Sequence, residues 1–361
     1  MSNGGGEGND DPTHKLNEFR ARRTSTVAKE KREWIWEPWI PRKSLGMVAG
    51  DPGTGKTTAI LDILACLSRG SALPNGYVPP RPIPSLVVAL EASMGLDVAP
   101  RLEFMGADRD LVHYIPREAG VSFPKHLPDL EREVLATGAQ LVVIDPMFKA
   151  ISSTEDMNKN QQTAQMMMLF EALCQRANCT VLFIHHLNKG IGSRALYKAA
   201  GAISIVGSMR FSLAVGPIPD EPPLRALTWF KGNVSAPELC PTLAFEIVPD
   251  PRDRYITGVR WDGPRPEVSV NTIFEGLDTI AALHRRRAPP KDRVAIWLDE
   301  YFDRAGDLPV DPEALYAAGT EMGFTKDQIS TARKVCGITV TRMWPSGRTV
   351  WSRSGAPETV H

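Results

Sequence analysis

The sequence lacks the features that mark membrane, secreted and zinc-bound proteins. No stretch approaches the roughly 20 apolar residues that span a bilayer, and the N-terminus has no apolar signal core. The five cysteines are scattered and include no Cys-x-x-Cys pair, the spacing typical of zinc and redox sites. We therefore expect reduced cysteines, a cytoplasmic location and no membrane partner.

An excess of either charge is also absent. Lys and Arg total 42, and Asp and Glu total 42, so net charge provides no attraction to nucleic acid. Any such affinity must come from a local basic patch. Hydrophobic residues make up 42% of the 361 residues, which is enough for one large core and a second, smaller domain.

The composition changes along the chain. Residues 1–33 combine three consecutive glycines with many charges and few apolar residues, which favours a disordered tail. Residues 34–270 carry the main alternation of apolar runs and helical patterns. Residues 271–290 are interpreted as a linker helix and a basic linker, because they contain three consecutive arginines followed closely by two prolines. A separate module is expected at 291–354, followed by a tail at 355–361.

The apolar runs in the larger part of the chain predict its fold class. Runs without polar alternation are typical of parallel strands covered by helices on both faces. These runs are Leu45–Ala49, Leu86–Leu90, Leu141–Ile144 and Val181–His185. Later strands separated by Pro-rich turns indicate an antiparallel extension. They are Arg225–Lys231, Leu243–Val248 and Ile256–Trp261. The pattern predicts an α/β doubly wound, mostly parallel sheet with an antiparallel extension.

A glycine-rich motif follows the first of these runs and opens a predicted helix. It matches G-x-x-x-x-G-K-[ST] in full. Its residues are Gly50, Asp51, Pro52, Gly53, Thr54, Gly55, Lys56 and Thr57. Backbone N–H groups of such a loop wrap phosphates, while Lys56 would neutralise the β and γ phosphates and the Thr57 hydroxyl would hold Mg²⁺. The motif predicts a site for ATP and Mg²⁺, and we add Thr58 to its nucleotide contacts.

Further candidates end neighbouring strands, where a doubly wound sheet opens its crevice. Asp145 fits the acidic residue of a magnesium shell, although an Asp after a strand is also a common turn former. Glu91 could polarise the attacking water, with capping of the following helix as the alternative. Of His185 and His186 only one can point inward. His186 is preferred as a phosphate sensor, and a structural histidine is the alternative.

The succession of these residues resembles RecA-like ATPases. The stretch from His185 to Gly190, followed by Gly201–Arg210, looks like the RepA type of hexameric helicase found in plasmids and phages. The resemblance covers about residues 34–262. It implies a RecA-like fold and a homo-hexamer that hydrolyses ATP and moves on single-stranded DNA in replication.

The resemblance also implies residues that act on a neighbouring subunit. In that family an arginine nine positions after such a glycine is an arginine finger, and the matching residue is Arg210. A guanidinium can stabilise γ-phosphate charge in the transition state. Lys231 lies where related ring ATPases place a second trans-acting basic residue, although the next such position is Asn233. The loop after His186 departs from the family, because it carries Arg194 and Tyr197 instead of small residues.

Two predicted loops would face the hole of a ring. They lie at Pro146–Asn160 and Asn188–Ala200, and basic side chains in such loops can follow a phosphate backbone. Solvated surface lysines are the alternative, and the resemblance favours DNA. The candidate DNA contacts are Lys149, Lys159, Lys189, Arg194 and Lys198.

The C-terminal module looks like a winged helix-turn-helix, a small α+β domain. Its helical stretches and hairpin strands are Asp292–Arg304, Asp311–Met322, Lys326–Lys334, Ile338–Thr341 and Thr349–Ser352. Acidic residues dominate its first half and basic residues its second, where Arg333 and Lys334 are candidate DNA contacts. Winged helices also bind proteins, so a replication partner of this module or of the N-terminal tail stays open.

Three functions compete on this sequence. The leading hypothesis is a ring-forming ATP hydrolase of RepA type that unwinds DNA. The alternative is a DNA-binding regulatory or loading ATPase of replication or recombination that switches without unwinding. A small-molecule kinase is disfavoured, because a monomeric kinase needs neither the candidate finger nor the C-terminal module.

Overall fold

A computed structural model describes residues 21, 23–151, 160–186, 203–219, 221–273, 290–305, 310–342 and 349–353. The chain forms two compact units, Met1–Glu33 and Trp34–His361. In the first unit a short turn of helix spans Thr24–Thr26. Most of the tail predicted at 1–33, and the tail predicted at 355–361, lie outside the described residues. Within the described residues, no helix is both long and apolar enough to cross a bilayer.

The strands of the second unit include each of the predicted runs, together with four short or junction strands that were not predicted. In chain order they are β1 Trp34–Trp36, β2 Ile40–Pro41, β3 Leu45–Gly50, β4 Ser85–Ala89, β5 Val112–Ile115, β6 Leu141–Asp145, β7 Thr180–His186, β8 Phe211–Pro217, β9 Arg225–Gly232, β10 Leu243–Asp250, β11 Asp253–Pro264, β12 Ile338–Arg342 and β13 Thr349–Arg353. Nine of them form one sheet in the order β11-β10-β9-β8-β3-β7-β6-β4-β5.

The centre of this sheet is parallel and covered on both faces. β3 pairs in parallel with β7 and β8, and β6 pairs in parallel with β4 and β7. Met47 and Val48, which are consecutive in β3, belong to two different core clusters, one on each face. Both sides of a central strand are therefore buried, which explains why these runs show no polar alternation. The predicted α/β class, a doubly wound and mostly parallel sheet, is confirmed.

Helices cover the two faces of the sheet. They are α1 Lys56–Arg69, α2 Ala99–Phe104, α3 Leu127–Thr137, α4 Met147–Ala150, α5 Asn160–Arg176 and α6 Ile203–Ser208. Apolar residues of α1 and α2 pack on one face, and those of α3 and α5 pack on the other. The helix that follows the glycine-rich motif is therefore fixed against the sheet along its length.

The antiparallel extension lies at one edge of the sheet. β8, β9, β10 and β11 pair with one another in antiparallel fashion, and β8 joins them to the parallel centre through β3. The predicted extension is thus confirmed: β8 is parallel to β3, and the antiparallel strands that follow it, β9, β10 and β11, are the three that were predicted. β9 runs antiparallel to β8, and β10 runs antiparallel to β9. The start of β9 therefore lies near the carboxyl ends of the parallel strands, and the end of β9 lies near their amino ends.

Three helices and a hairpin form the C-terminal module. The helices are α7 Pro290–Ala305, α8 Pro312–Glu321 and α9 Lys326–Val335, and the hairpin is β12–β13. They share a core that includes Trp297, Leu315, Ile329 and Trp351. The linker predicted at 271–290 lies outside the described residues except for 271–273 and 290.

Candidate nucleotide-binding site

The glycine-rich motif forms the turn between β3 and α1. β3 ends at Gly50, and α1 begins at Lys56. Gly53 and Gly55 have φ angles of +76° and +95°, a region that favours glycine. A Cβ atom at Gly55 would also lie 2.7 Å from Cδ1 of Ile247. Both the sharp turn and this close approach therefore require glycine at position 55.

The remaining residues of the motif complete the loop. Asp51 accepts a hydrogen bond through its carbonyl oxygen from the Thr54 hydroxyl at 2.8 Å, which closes the turn. Pro52 is exposed at the tip of the loop, and Thr58 is buried in the first turn of α1. The loop is thus held by its own backbone, with its outer side open to solvent.

Lys56 lies under the loop with only 4% of its surface exposed. Its ammonium donates to the carbonyl oxygens of Gly50 and Asp51, both at 2.8 Å, and lies 3.3 Å from Nδ1 of His186. Burial lowers the pKa of Lys56 to about 8, and the neighbouring carboxylates oppose that shift. The side chain is therefore charged at neutral pH and poorly hydrated, which makes it a strong attractor for phosphate.

Thr57 and Asp145 meet beside Lys56. The Thr57 hydroxyl donates to Oδ2 of Asp145 at 2.6 Å. Burial raises the pKa of Asp145, and the Thr57 hydrogen bond and the Lys56 charge partly offset that rise. The pair offers a hydroxyl and a carboxylate oxygen, the ligand types that Mg²⁺ prefers. Within the described ranges no group of three or more His, Cys, Asp or Glu could hold a metal.

Glu91 follows β4 and lies beside the same crevice. The Leu90 N–H donates to the carbonyl oxygen of Asp145 at 2.8 Å, which ties the end of β4 to the end of β6. Oε1 of Glu91 forms an ion pair with Nζ of Lys149, on α4, at 3.1 Å. A candidate catalytic carboxylate and a candidate DNA-binding lysine are therefore in direct contact.

The capping alternative for Glu91 does not fit the structure. The helical turn that follows is capped by Ser93, whose hydroxyl accepts from the Leu96 N–H at 3.3 Å. Glu91 lies two residues before this cap, with its carboxylate directed to Lys149. Its side chain therefore does not cap the helix and lies beside the nucleotide crevice, paired with Lys149.

The two histidines at the end of β7 point to opposite faces of the sheet. His186 approaches Lys56, and its ring lies 5.8 Å from the ring of Phe148. Burial and then the Lys56 charge lower the pKa of His186. His185 lies on the other face, 5% exposed, and its pKa is lowered to about 4, mainly by burial. Of the pair, His186 is the one placed at the crevice.

Arg210 and Lys231 lie near the amino ends of the parallel strands, whereas the glycine-rich loop lies at their carboxyl ends. The Arg210 N–H donates to the carbonyl oxygen of Leu45, at the start of β3. Lys231 pairs with Ser212 near the start of β8, and its ammonium donates to Gly207 O at 3.2 Å. From Leu45 to Gly50, β3 has five residue steps of about 3.3 Å each. Roughly 16 Å therefore separates the start of β3, where Arg210 lies, from the loop.

Only some of the candidate DNA contacts lie among the residues that the structure describes. Lys149 is described above, and four others lie outside the described residues: Lys159, Lys189, Arg194 and Lys198. In the C-terminal module, Arg333 stacks over the Trp351 ring at 5.3 Å and donates to Ile338 O at 3.2 Å. Arg333 is thus engaged in holding the hairpin to α9, while Lys334 is exposed.

Two residues beside the loop have no sequence signal. Ile247, from β10, contacts Gly55, and Cδ of Arg225, from β9, lies 3.5 Å from the place of a Gly55 Cβ. Burial lowers the pKa of Arg225, and Glu246 opposes the shift. The antiparallel extension folds back to bring both residues to the loop, so only the tertiary structure reveals them.

Comparison with known proteins gives the family. Residues 11–191, half of the chain, match the family model described as AAA domain. No curated protein matches the chain. Among similar solved structures is the crystal structure of the KaiC-like protein PH0186 from the hyperthermophilic archaeon Pyrococcus horikoshii OT3. It is 14% identical, with 61% of this chain and 90% of that chain covered and a TM-score of 0.42. Because the family model matches half of the chain, including the complete glycine-rich loop, the chain belongs to the AAA domain family of nucleotide-hydrolysing P-loop proteins.

Proposed function

We propose that this ATPase is a ring-forming DNA translocase of the RepA helicase type that acts in DNA replication. The proposal rests on one observation. Arg210 and Lys231 lie near the amino ends of the parallel strands, and the glycine-rich loop Gly50–Thr57, called the P-loop from here on, lies at their carboxyl ends. At roughly 16 Å, neither side chain can reach a nucleotide held by its own chain. They can serve catalysis only if a neighbouring subunit presents its P-loop to them.

Such an arrangement requires a head-to-tail interface. Such an interface joins the Arg210 end of one subunit to the P-loop end of the next. Repeated contacts of this kind close into a ring when the rotations between successive subunits add up to a full turn. Arg210 lines an open groove with Lys43, Glu171 and Gln175. This groove offers both charges and polar groups to the P-loop side of a neighbour, and a homo-hexamer is the assembly proposed here.

The P-loop site would hydrolyse ATP as follows. Lys56 would bind the β and γ phosphates, and Thr57 and Asp145 would hold Mg²⁺, which would neutralise phosphate charge. Glu91 accepts a proton from the attacking water, whose oxygen bonds to the γ-phosphorus as the bond to ADP breaks. Arg210 of the next subunit stabilises the charge that develops on the transferred group.

Nucleic acid would be moved by the segments that follow β6 and β7. His186 ends β7 at 3.3 Å from Lys56, so a change at the γ-phosphate can pass to the end of this strand, which precedes the loop predicted at Asn188–Ala200. The other predicted loop, Pro146–Asn160, contains helix α4, and Lys149 projects from that helix. Basic side chains in both segments suit the backbone of a single strand.

A second candidate function is a DNA-binding regulatory or loading ATPase that does not unwind. The C-terminal module favours it, because three helices followed by a hairpin are the pattern of a winged helix and a plain motor needs none. Exposed Lys334 on α9 is its candidate phosphate contact. A replication partner bound by this module or by the N-terminal tail fits the same alternative.

ATP hydrolysis and strand separation distinguish the two. The full chain is assayed with and without single-stranded DNA, and a forked duplex reports unwinding. Light scattering measures assembly in parallel. Hydrolysis that rises with both DNA and assembly, together with unwinding, supports the translocase. Stimulated hydrolysis without strand separation supports the regulatory ATPase, and equal hydrolysis by a DNA-free monomer contradicts both.

A further inference from the structure

The ion pair between Glu91 and Lys149 joins two roles that the proposed function keeps separate. Glu91 is the residue placed to activate water, and Lys149 is a residue placed to contact DNA. We infer that Lys149 restrains Glu91 in the absence of nucleic acid, and that a phosphodiester strand releases Glu91 by taking Lys149 as its own partner. This inference rests on the proposed function and names the regulation of its site.

The position of Lys149 is fixed by the fold. It lies on α4, whose Met147 and Ala150 are fully buried under the end of the sheet. Met147 and Ala150 anchor this short helix, and Lys149 projects from it toward the end of β4. The ends of β4 and β6 are themselves tied by the Leu90–Asp145 hydrogen bond. The two charged groups therefore meet because their strands are neighbours, at 3.1 Å.

The contact keeps Glu91 from acting as a general base. The ion pair occupies Oε1 and holds the carboxylate beside Lys149. A general base must be within hydrogen-bond reach of the water that it activates. Hydrolysis is thus slowed while Lys149 holds this position.

The same contact is weak enough to be broken by a polyanion. Side-chain exposure is 45% for Lys149 and 43% for Glu91, so both are open to solvent. Ion pairs at this level of exposure are weakly held. A strand of nucleic acid presents many phosphates and gains free energy from released counterions when it binds a lysine. It can therefore compete with one carboxylate for Lys149.

The test compares hydrolysis by the full-length protein and by variants at position 149. Lys149→Gln removes the charge and keeps the length of the side chain, and Lys149→Arg keeps the charge. Lys125→Gln, at an exposed lysine outside the Glu91–Lys149 ion pair, is the control. Each is assayed without nucleic acid, with oligodeoxythymidine and with oligouridine of equal length.

Lys149→Gln is expected to hydrolyse ATP faster than the wild type without nucleic acid, by roughly two- to fivefold for a weak exposed pair. Added strand should then stimulate it less than the wild type. Lys149→Arg keeps the charge, so an added strand should stimulate it more than it stimulates Lys149→Gln. Lys125→Gln should behave as the wild type does. In a Glu91→Gln background, Lys149→Gln should give no gain, because the restrained base is gone. This last comparison excludes a general structural effect of the substitution.

The outcomes separate this inference from the proposed function. If the wild type is stimulated by a strand and Lys149→Gln has wild-type basal and stimulated rates, the inference is wrong and the translocase stands. If no strand stimulates the wild type, the DNA function fails and the release step fails with it. Stimulation by oligodeoxythymidine identifies DNA as the strand, and stimulation by oligouridine alone assigns the same phosphodiester chemistry to RNA.

Discussion

A buried positive charge dominates the site at the residue scale. Lys56 keeps its charge at neutral pH although burial lowers its pKa to about 8. In the free protein this costs stability, since a desolvated ammonium is compensated only by two carbonyl oxygens and nearby carboxylates. A bound phosphate supplies the missing counter-charge, so the site is arranged for an anion.

Replacement of Lys56 separates folding from binding. Lys56→Ala should lower ATP hydrolysis by roughly 100-fold or more, the scale of losing a major electrostatic group in an active site. The melting temperature of the free protein should stay the same or rise, because a desolvation cost is removed. Stabilisation by added ATP should disappear. Thermal melts of the wild type and Lys56→Ala, with and without nucleotide, test this. A large loss of stability in the free variant would contradict it.

His185 predicts a pH dependence of stability. In the described part of the chain neither of its ring nitrogens has a hydrogen-bond partner, and its pKa is about 4 in the folded protein. In the unfolded chain a histidine titrates near 6.5, so between these values the unfolded state binds more protons. Stability contributed by neutral His185 is therefore complete above about pH 6.5 and is lost as the pH falls toward 4.

The expected loss is about 3 kcal/mol between pH 7 and pH 4, at 1.36 kcal/mol for each unit of pKa difference. His185→Phe should remove this part of the acid sensitivity. Denaturant unfolding of both proteins at pH 7 and pH 4.5 measures it. The same decline in stability for wild type and variant would show that His185 is not the group responsible.

Single residues of the site were predictable where a motif fixes their role. The P-loop could be predicted from eight consecutive residues. The meeting of Thr57 with Asp145 followed from the rule that parallel strands open their crevice at one edge. Ser93 as the helix cap and Arg225 beside Gly55 could not be predicted, because each depends on where the backbone turns after its strand.

At the scale of elements, the antiparallel extension supports the P-loop helix as well as the sheet. The Trp261 indole N–H, on β11, donates to Oδ2 of Asp62, on α1, at 2.7 Å. Burial raises the pKa of Asp62, and this hydrogen bond opposes the rise. The contact ties the helix that carries the phosphate-binding turn to the last strand of the extension.

Trp261→Phe removes this tether and retains an aromatic ring. A half-buried carboxylate loses a donor, so the free energy of unfolding should fall by about 1 to 2 kcal/mol. Tyr255→Phe, at an exposed position of the same strand, is the matched control and should change stability little. Denaturant unfolding compares the three proteins. Equal losses for both substitutions would mean that strand β11, and not the hydrogen bond, is responsible.

Elements were predicted best where burial on both faces leaves a continuous apolar run. β3, β4, β6 and β7 have bounds within one residue of the prediction. β5 was missed because it is a four-residue strand at the sheet edge with a mixed burial pattern, so neither alternation nor an apolar run marks it. β8 was missed although it is apolar, because its role as the junction between parallel and antiparallel parts is visible only in the pairing.

At the scale of the whole molecule, the two ends of the parallel strands differ. Their carboxyl ends carry the P-loop, and their amino ends carry Arg210 and Lys231. In a monomer, the proposed trans-acting residues Arg210 and Lys231 would lie at the end of the sheet away from the nucleotide. The assembly was predicted from a family resemblance and not from the residues alone. A residue that acts on a neighbouring subunit has no fixed distance in sequence from the loop that it serves, so no motif contains both.

Mixing of two inactive variants tests this central claim. Lys56→Ala loses phosphate binding, and Arg210→Ala loses the proposed finger, so each protein alone should hydrolyse almost no ATP. In a mixed ring, an Arg210→Ala subunit offers an intact P-loop to the intact arginine of a Lys56→Ala neighbour. Random head-to-tail assembly should restore about a quarter of wild-type hydrolysis in an equal mixture. Wild-type hydrolysis by Arg210→Ala alone, or no recovery in a mixture that light scattering shows to be assembled, would contradict a site shared between subunits.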